Sequence, residues 1–304
     1  MIYDIVIVGG GPAGITAGIY AIRQRLKAIL IAKNLGGQLN KKAVAVGNYP
    51  GFNKISGLEL VQKFQNHLEA TGISIVKDEV GKIKKEGDKF LISTESGKIF
   101  KSKTVIIASG ADPRPLEVPG EKEFLGKGVS YCAICDGALF KDKTVAVIGG
   151  GNSAFETAIF LSNIASKIYI LEYGPEIKAF SDNQEMVAKA GKSEIITNAA
   201  LKKIEGDNFV KSITYQDGKT KQEKTLKVEG VFVEIGYDPA TSFVKDLVDF
   251  NERDEIMVDP RTYQTKTPGL FAAGDVNVGK YKQIITACAE GAVAALSAFE
   301  YLQR

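Results

Sequence analysis

The sequence predicts an α/β protein built from two Rossmann-like nucleotide-binding domains of three-layer ββα architecture, the second inserted in the first. Two observations carry this expectation. A glycine-rich turn between an apolar strand and a small-residue helix occurs twice, and each copy runs on into a second apolar strand, which is the order of a βαβ unit. The chain has 304 residues, 44% of them hydrophobic, and above about 250 residues a chain usually divides into more than one core.

The first unit is YDIVIVGGGPAGITAGIYAIRQRLKAILIA, residues 3–32. Gly9, Gly11 and Gly14 stand in G-x-G-x-x-G spacing, with Pro12 and Ala13 opening the helix. In such a fingerprint one glycine makes the tight turn and one lets the backbone approach a pyrophosphate. The last small residue lets helix and strand pack closely, and the free amides of the helix start face the phosphates. The second unit is KTVAVIGGGNSAFETAIFLSNIASKIYILE, residues 143–172. Gly149, Gly151 and Ala154 keep the same offsets, with Asn152 and Ser153 between them. Two such units imply a flavin domain and a second, nicotinamide-type domain.

Proline and glycine mark the crossings between them. SGADPRPLEVPGE (109–121) follows the apolar strand KTVIIA, and IGYDPATSF (235–243) follows GVFVE. The flavin domain is therefore expected over residues 1–113 and 240–304, with the inserted domain over 114–239.

Composition narrows the function. A net charge of +3 is too small to imply nucleic acid, although the basic balance would suit an acidic protein partner. The longest apolar runs are interrupted by Gly, Asp or Lys before the roughly 18 residues of a bilayer span. The start MIYDIVIVGGG lacks the basic stretch and cleavage site of a signal peptide, so a cytoplasmic location without membrane attachment is expected. His67 is the one histidine, on a helix whose spacing of Val61, Phe64 and Leu68 gives it a structural role. Cys288 lies among small helical residues and reads as packing.

Cys132 and Cys135, in SYCAICDGALF, form a CxxC that can be a redox pair, half a zinc site or buried filler. Zinc takes about four ligands, and only Cys132, Cys135, Cys288 and His67 are on offer, without a second CxxC. No metal site is expected. A redox-active dithiol ranks above inert thiols, because CxxC spacing can expose one sulfur and hold the other by an electron source.

GGQL (36–39), GNYPGF (47–52), CAICDG (132–137), GGGNSA (149–154) and GLFAAGDV (269–276) follow the first fingerprint in this order. In this the chain resembles the low-molecular-weight thioredoxin reductases, nearly end to end. The resemblance implies FAD as cofactor, a homodimer, and a thioredoxin-like protein as electron acceptor. It implies that Gly274 and Asp275 meet the flavin's ribityl and phosphate groups, and that Gly110, Gln38, Asn48, Gln283 and Ile284 lie near it. By position, Cys135 is the flavin-facing thiolate, Cys132 the attacking thiol, and Asp136 the proton donor and acceptor; outside the family Asp136 reads as a turn former beside Gly137.

Three departures from the family stand out. Lys33 or Asn34 occupies the strand end where an acidic residue often holds the adenosine ribose. The family's ATG strand end reads ASG (108–110). NADPH-dependent members carry H-R-R-x-x-x-R, whose guanidinium groups clamp the 2′-phosphate. Here Glu172, Tyr173 and Gly174 fill the first three positions, and only Lys178 keeps the final positive charge. Glu172 would repel that phosphate, and it stands where an acid accepts the 2′-OH of NADH. The sequence thus argues against NADPH and leaves NADH or reduced ferredoxin as donor. Lys280 and Lys282 would suit the acidic ferredoxin, or form an ordinary solvated face. A dithiol oxidase using oxygen and a non-catalytic flavin-binding protein are the rival classes.

Overall fold

A computed structural model describes residues 1–42 and 46–304. Contacts gather the chain into two compact units, Met1–Asp112 with Tyr237–Arg304, and Pro113–Gly236.

The first unit begins with Ile2–Val8 (β1), Pro12–Arg23 (α1) and Ala28–Ala32 (β2), β1 and β2 being parallel with Val8 opposite Ile31. Leu39–Lys42 (α2) and Gly57–Ala70 (α3) lead to Ser74–Lys77 (β3), which lies parallel to β2. In α3 the Ser56 hydroxyl accepts from the Glu59 amide and the Glu59 carboxylate accepts from the Ser56 amide, so two amides of the helix start are satisfied. His67 is exposed on this helix, while Val61 and Leu68 are buried. Val80–Glu86 (β4), Lys89–Thr94 (β5) and Ile99–Ile107 (β6) follow. β6 is shared: its first half pairs antiparallel with β5, and Lys101 to Ile107 run parallel to β1.

The chain leaves through Ala111–Pro113 (β7) into the second unit. There Val129–Ser130 (β8), Ala133–Asp136 (α4) and a tight 3-10 turn, Gly137–Phe140, precede Thr144–Ile148 (β9), Asn152–Ser162 (α5) and Lys167–Leu171 (β10). Ser181–Ala190 (α6) and Ser193–Ile196 (β11) follow, then Ala199–Gly206 (β12), Val210–Asp217 (β13), Glu223–Lys227 (β14) and Gly230–Val233 (β15). The parallel sheet has the order β11-β10-β9-β15-β8, and β12-β13-β14 form a separate antiparallel sheet. Along the parallel strands successive residues alternate between two cores. Val145, Val147 and Phe232 pack on Phe155, Ala158 and Leu161 of α5; Ala146, Ile148 and Val231 pack on Ile204, Ile213 and Tyr215 of the antiparallel sheet. This is the three-layer arrangement the sequence predicts, and burial on both faces explains why these strands read as continuous apolar runs.

The return strand Tyr237–Pro239 (β16) pairs with β7, so the two crossings form a two-stranded ribbon. Leu270–Ala272 (β17) then joins the first sheet beside the second half of β6, and Ile284–Leu302 (α7) closes the first unit. That sheet has the order β3-β2-β1-β6-β5-β4 with β17 on β6. Ile5, Ile7 and Ile106 face α1 and α7; Val6, Val8 and Ile107 face Ile83, Phe90 and Val244. α7 is long and apolar enough to cross a bilayer by length and composition, contrary to the expectation that every apolar run would break first. In this fold it is a core helix, whose buried Ala287, Gly291, Ala294 and Ala298 pack against α1.

Candidate functional site

In the first unit the fingerprint glycines do two different jobs. Gly9 has φ of 113°, and a Cβ there would stand 2.1 Å from the Ala108 carbonyl oxygen; at Gly14 a Cβ would stand 2.0 Å from the Gly9 oxygen. Gly9 is demanded by the backbone at the end of β6 and Gly14 by the turn from β1 into α1. A Cβ on Gly11 would meet nothing within 4 Å, so the protein leaves that place open. Gly11 caps α1, Pro12 begins it, and the first turn carries no acidic residue. An open glycine before uncompensated helix amides fits a pyrophosphate, which is the test an FAD site must pass here.

The C-terminal part of the unit builds up the same place. Gly274 has φ of 81°, and a Cβ there would lie 3.0 Å from that of Ala13, so the turn after β17 sits against the start of α1. Gln38 Nε2 donates to Asp275 Oδ2 at 3.0 Å and to the Ala111 carbonyl. Asn48 Nδ2 donates to Gln283 Oε1 at 3.1 Å. Gln283 caps α7, and Ile284, its first residue, packs on the small core under residues 46–61. The carbonyl of Gly110, φ 75°, accepts the Ala240 amide at 3.1 Å. Ser109, the departure in ASG, donates its hydroxyl to the Ala240 oxygen at 2.7 Å and so helps pin the return segment. Lys33, where an acid would hold a ribose, is ion-paired with Glu79 at 2.5 Å.

Burial pushes the Asp275 carboxyl up to about 6, with Glu290 and Glu255 adding to the rise and Lys282 and Gln38 opposing it. Glu290 was not singled out by any motif. It is buried on α7 and its Oε2 accepts from the Gly274 amide and from Asn277 Nδ2, each at 2.7 Å. Lys282 pairs with Glu255 at 2.9 Å, both side chains being largely covered, and donates to the Asn277 oxygen. That lysine is therefore committed inside the unit, which leaves Lys280 as the one of the two lysines still offered to an acidic ferredoxin.

The second unit repeats the device. Gly149 has φ of 132°, its Cβ position lies 2.3 Å from the Glu234 oxygen, and Gly151 opens on nothing within 4 Å. Asn152, Ser153 and the buried Ala154 begin α5, again without an acid in the first turn. Glu172, at the end of β10, accepts from the Gly174 amide at 2.7 Å, and its Oε2 lies 2.5 Å from where a Gly150 Cβ would be. The segment after it is fastened to the fingerprint: the Lys178 and Ala179 amides donate to the Gly150 oxygen, and the Phe180 amide donates to Asn152 Oδ1 at 2.7 Å. The Glu172 carboxylate thus stands beside the fingerprint that carries the open Gly151, at the C-terminal edge of the sheet, where dinucleotides bind in such folds.

The same unit carries the sulfur pair. Cys132 and Cys135 are disulfide-bonded. Cys132 caps α4, its Sγ accepting from the Cys135 amide at 3.2 Å; Cys135 is exposed and Cys132 half-buried. An amide aimed at a sulfur favours its thiolate form. Asp136 ends α4 and accepts from the Ser130 hydroxyl at 2.6 Å. Burial raises its pKa and the Ser130 bond pulls it back down. Tyr131 donates to Glu121, a buried carboxylate that also takes the Leu116 and Glu117 amides at 2.7 and 2.8 Å. The stretch just after the crossing is thereby tied to the residue before Cys132. Neither Ser130 nor Glu121 belongs to a spacing rule, which is why the sequence alone did not show them.

Two Rossmann-like units and a CxxC disulfide are the marks of the dinucleotide-dependent disulfide oxidoreductases. The chain belongs to the pyridine nucleotide-disulphide oxidoreductase family, which it matches over residues 3–291, the FAD-dependent branch whose solved members include thioredoxin reductases. It is similar to the thioredoxin reductase of Streptococcus pyogenes, with 38% identity, a TM-score of 0.93, and coverage of 99% of this chain and 98% of that one. Among curated relatives, it is 42% identical over 303 residues to a component of the alkyl hydroperoxide reductase of Staphylococcus aureus, and 41% identical over 302 residues to a protein of Bacillus subtilis named NADH dehydrogenase. The alignments cover 99% of this chain and 59% of each of those two proteins.

Proposed function

We propose that this chain is a flavin-dependent disulfide reductase that draws electrons from NADH and delivers them, through Cys132 and Cys135, to the disulfide of a thioredoxin-like protein. The observation that carries the reading is the pairing, in one unit, of a CxxC disulfide whose Cys135 is exposed with a glycine fingerprint against which Glu172 lies. The family supplies a nicotinamide cofactor, and the Bacillus relative's name supports NADH.

FAD, when bound, supplies a carrier between a two-electron hydride donor and a disulfide. The residues that would hold it are Gly11, Pro12 and Ala13 at the phosphates, and Asp275 with Gln38, Asn48, Gly110 and Gln283 around the rest. In the second unit Gly151 with Asn152, Ser153 and Ala154 receives the dinucleotide phosphates. Glu172 accepts a ribose 2′-OH and repels a 2′-phosphate. Two electrons and one proton convert the Cys132–Cys135 bond into one thiol and one thiolate. The Cys132 thiolate attacks a partner disulfide, releasing one partner thiolate and leaving a mixed disulfide. Cys135 then attacks the Cys132 sulfur, re-forms the internal bond and frees the second partner thiolate. Asp136, its carboxyl raised by burial, holds and returns the proton these exchanges require.

The test is anaerobic bleaching of the purified protein's flavin absorbance by NADH, NADPH and chemically reduced ferredoxin in parallel. NADH bleaches rapidly, two further thiols titrate afterwards, and Cys135→Ser keeps its flavin while losing reduction of the partner disulfide. Bleaching by ferredoxin or NADPH alone overturns the donor, whereas no gain of thiols overturns the reductase reading.

A further inference from the structure

We propose that Ser130 is a positioning residue of the dithiol, coupling the proton on Asp136 to the backbone of Cys132 through the rotation of one hydroxyl. The inference rests on the reading of Asp136 as proton donor and acceptor. Ser130 ends β8 and is 4% exposed. Its Oγ has three groups in reach: the Cys132 amide, which donates to it at 3.0 Å, Asp136 Oδ2 at 2.6 Å, and the Cys132 carbonyl oxygen at 3.3 Å.

A serine hydroxyl has one proton to give and two lone pairs to fill. With Asp136 ionised, the proton goes to the carboxylate, the shorter and charge-assisted bond. With Asp136 protonated, the carboxyl O–H donates to Oγ and the serine proton turns to the Cys132 oxygen. Oγ then accepts two bonds and gives one, its full capacity. Each protonation state therefore has a satisfied partner arrangement, and passing between them moves a single hydroxyl proton while the heavy atoms stay in place.

The carbonyl gained or lost in this exchange also holds the redox turn. It accepts the Cys135 amide at 3.2 Å and the Asp136 amide at 3.1 Å, so both sulfurs hang from the group that Ser130 engages only when Asp136 carries its proton. Little else acts on the carboxyl. β8 and the Gly137–Phe140 turn have no charged residue, and α5, packed against α4, brings one, the exposed Glu156. The influences on Asp136 are burial and the Ser130 bond.

The test is single-turnover exchange. The full-length flavin-loaded protein is reduced anaerobically with dithiothreitol, freed of reductant and mixed with dithiobis(nitrobenzoate) across a pH series, as wild type, Ser130→Ala, Ser130→Thr and Asp136→Asn. Every variant keeps the acid fall in rate that protonation of the attacking thiolate imposes; Asp136→Asn is expected to lose only the second step that titration of Asp136 adds to it. Ser130→Ala is expected to move that second step to higher pH, because the carboxylate loses its donor, and to slow exchange at pH 7 about tenfold. Ser130→Thr, which keeps the hydroxyl, retains the wild-type profile. A Ser130→Ala profile that superimposes on wild type, or one lowered uniformly without displacement of that step, overturns the coupling. A second step that survives in Asp136→Asn overturns instead the assignment of Asp136.

Discussion

Glu290 shows how much of the proposed flavin site depends on a residue that no ligand is expected to touch. A carboxylate 8% exposed is expensive unless its lone pairs are filled, and here the Gly274 amide and Asn277 fill them, each at 2.7 Å. Burial still holds its pKa up, against the pull of Asn277, Gly274 and Lys282. Replacing it by Ala strands two buried donors, at a cost of about 1–3 kcal/mol, and frees the turn that presents Asp275. Glu290→Ala is therefore expected to lose flavin on dilution, read as released flavin fluorescence, whereas Glu290→Gln, which keeps an acceptor, is expected to lose less; equal retention in both would assign Glu290 no role in the turn. Gly274 and Asp275 were legible because they stand in a strand-end pattern tied to the N-terminal fingerprint. Glu290 left a weaker trace: it is one acid on the same helical face as Ala287, Gly291 and Ala294, a face that small residues mark as buried.

At the level of elements, the packing of α7 on α1 is what brings that turn to the fingerprint. A Cβ on Gly291 would lie 2.1 Å from the Ala13 carbonyl oxygen and 2.9 Å from its carbon. Backbone cannot retreat as a flexible side chain can, so Gly291→Ala has to push the helices apart at the first turn of α1. Overpacking of this kind costs about 1–3 kcal/mol, and the variant is expected to melt lower and to bind flavin less tightly than wild type; a melting point unchanged with flavin bound would mean that α7 can shift freely. The two βαβ units were readable because glycine spacing and apolar runs are local signals. The pairing of β12, β13 and β14 into a sheet was not, since each of these strands is partly exposed and finds its partner only when Ile204, Ile213 and Tyr215 meet the face of the parallel sheet. The crossings were anticipated after 113 and 239; the units divide after Asp112 and Gly236, where Pro and Gly punctuate the chain but cannot say to the residue where contacts change sides.

Over the whole molecule, the buried carboxyls set how stability responds to pH. Burial pushes Glu234 from an ordinary 4.5 to about 7, with Glu156 adding to the rise and the Thr157 hydroxyl, donating at 2.8 Å, opposing it. Between those two values the folded chain keeps a proton that the unfolded chain has released. Stability from this group is thus fully present below about pH 4.5 and is lost as pH rises through about 7, a change of order 3 kcal/mol. Asp275, raised to about 6, slopes the same way. Asp78 and Asp217, held at about 2, act at the other end: what they contribute is present above the ordinary 3.8 and lost as pH falls toward 2. Glu234→Gln keeps the contact with Thr157 and removes the ionisation, so it separates the first slope from the second. The variant is expected to melt with wild type at pH 5 and roughly 5–10 °C above it at pH 8, because only wild type then carries a charge at the C-terminal end of β15. Melting curves of both proteins across that range decide the matter, since a gap that stays constant from pH 5 to pH 8 would mean that Glu234 ionises in the folded chain as it does in water.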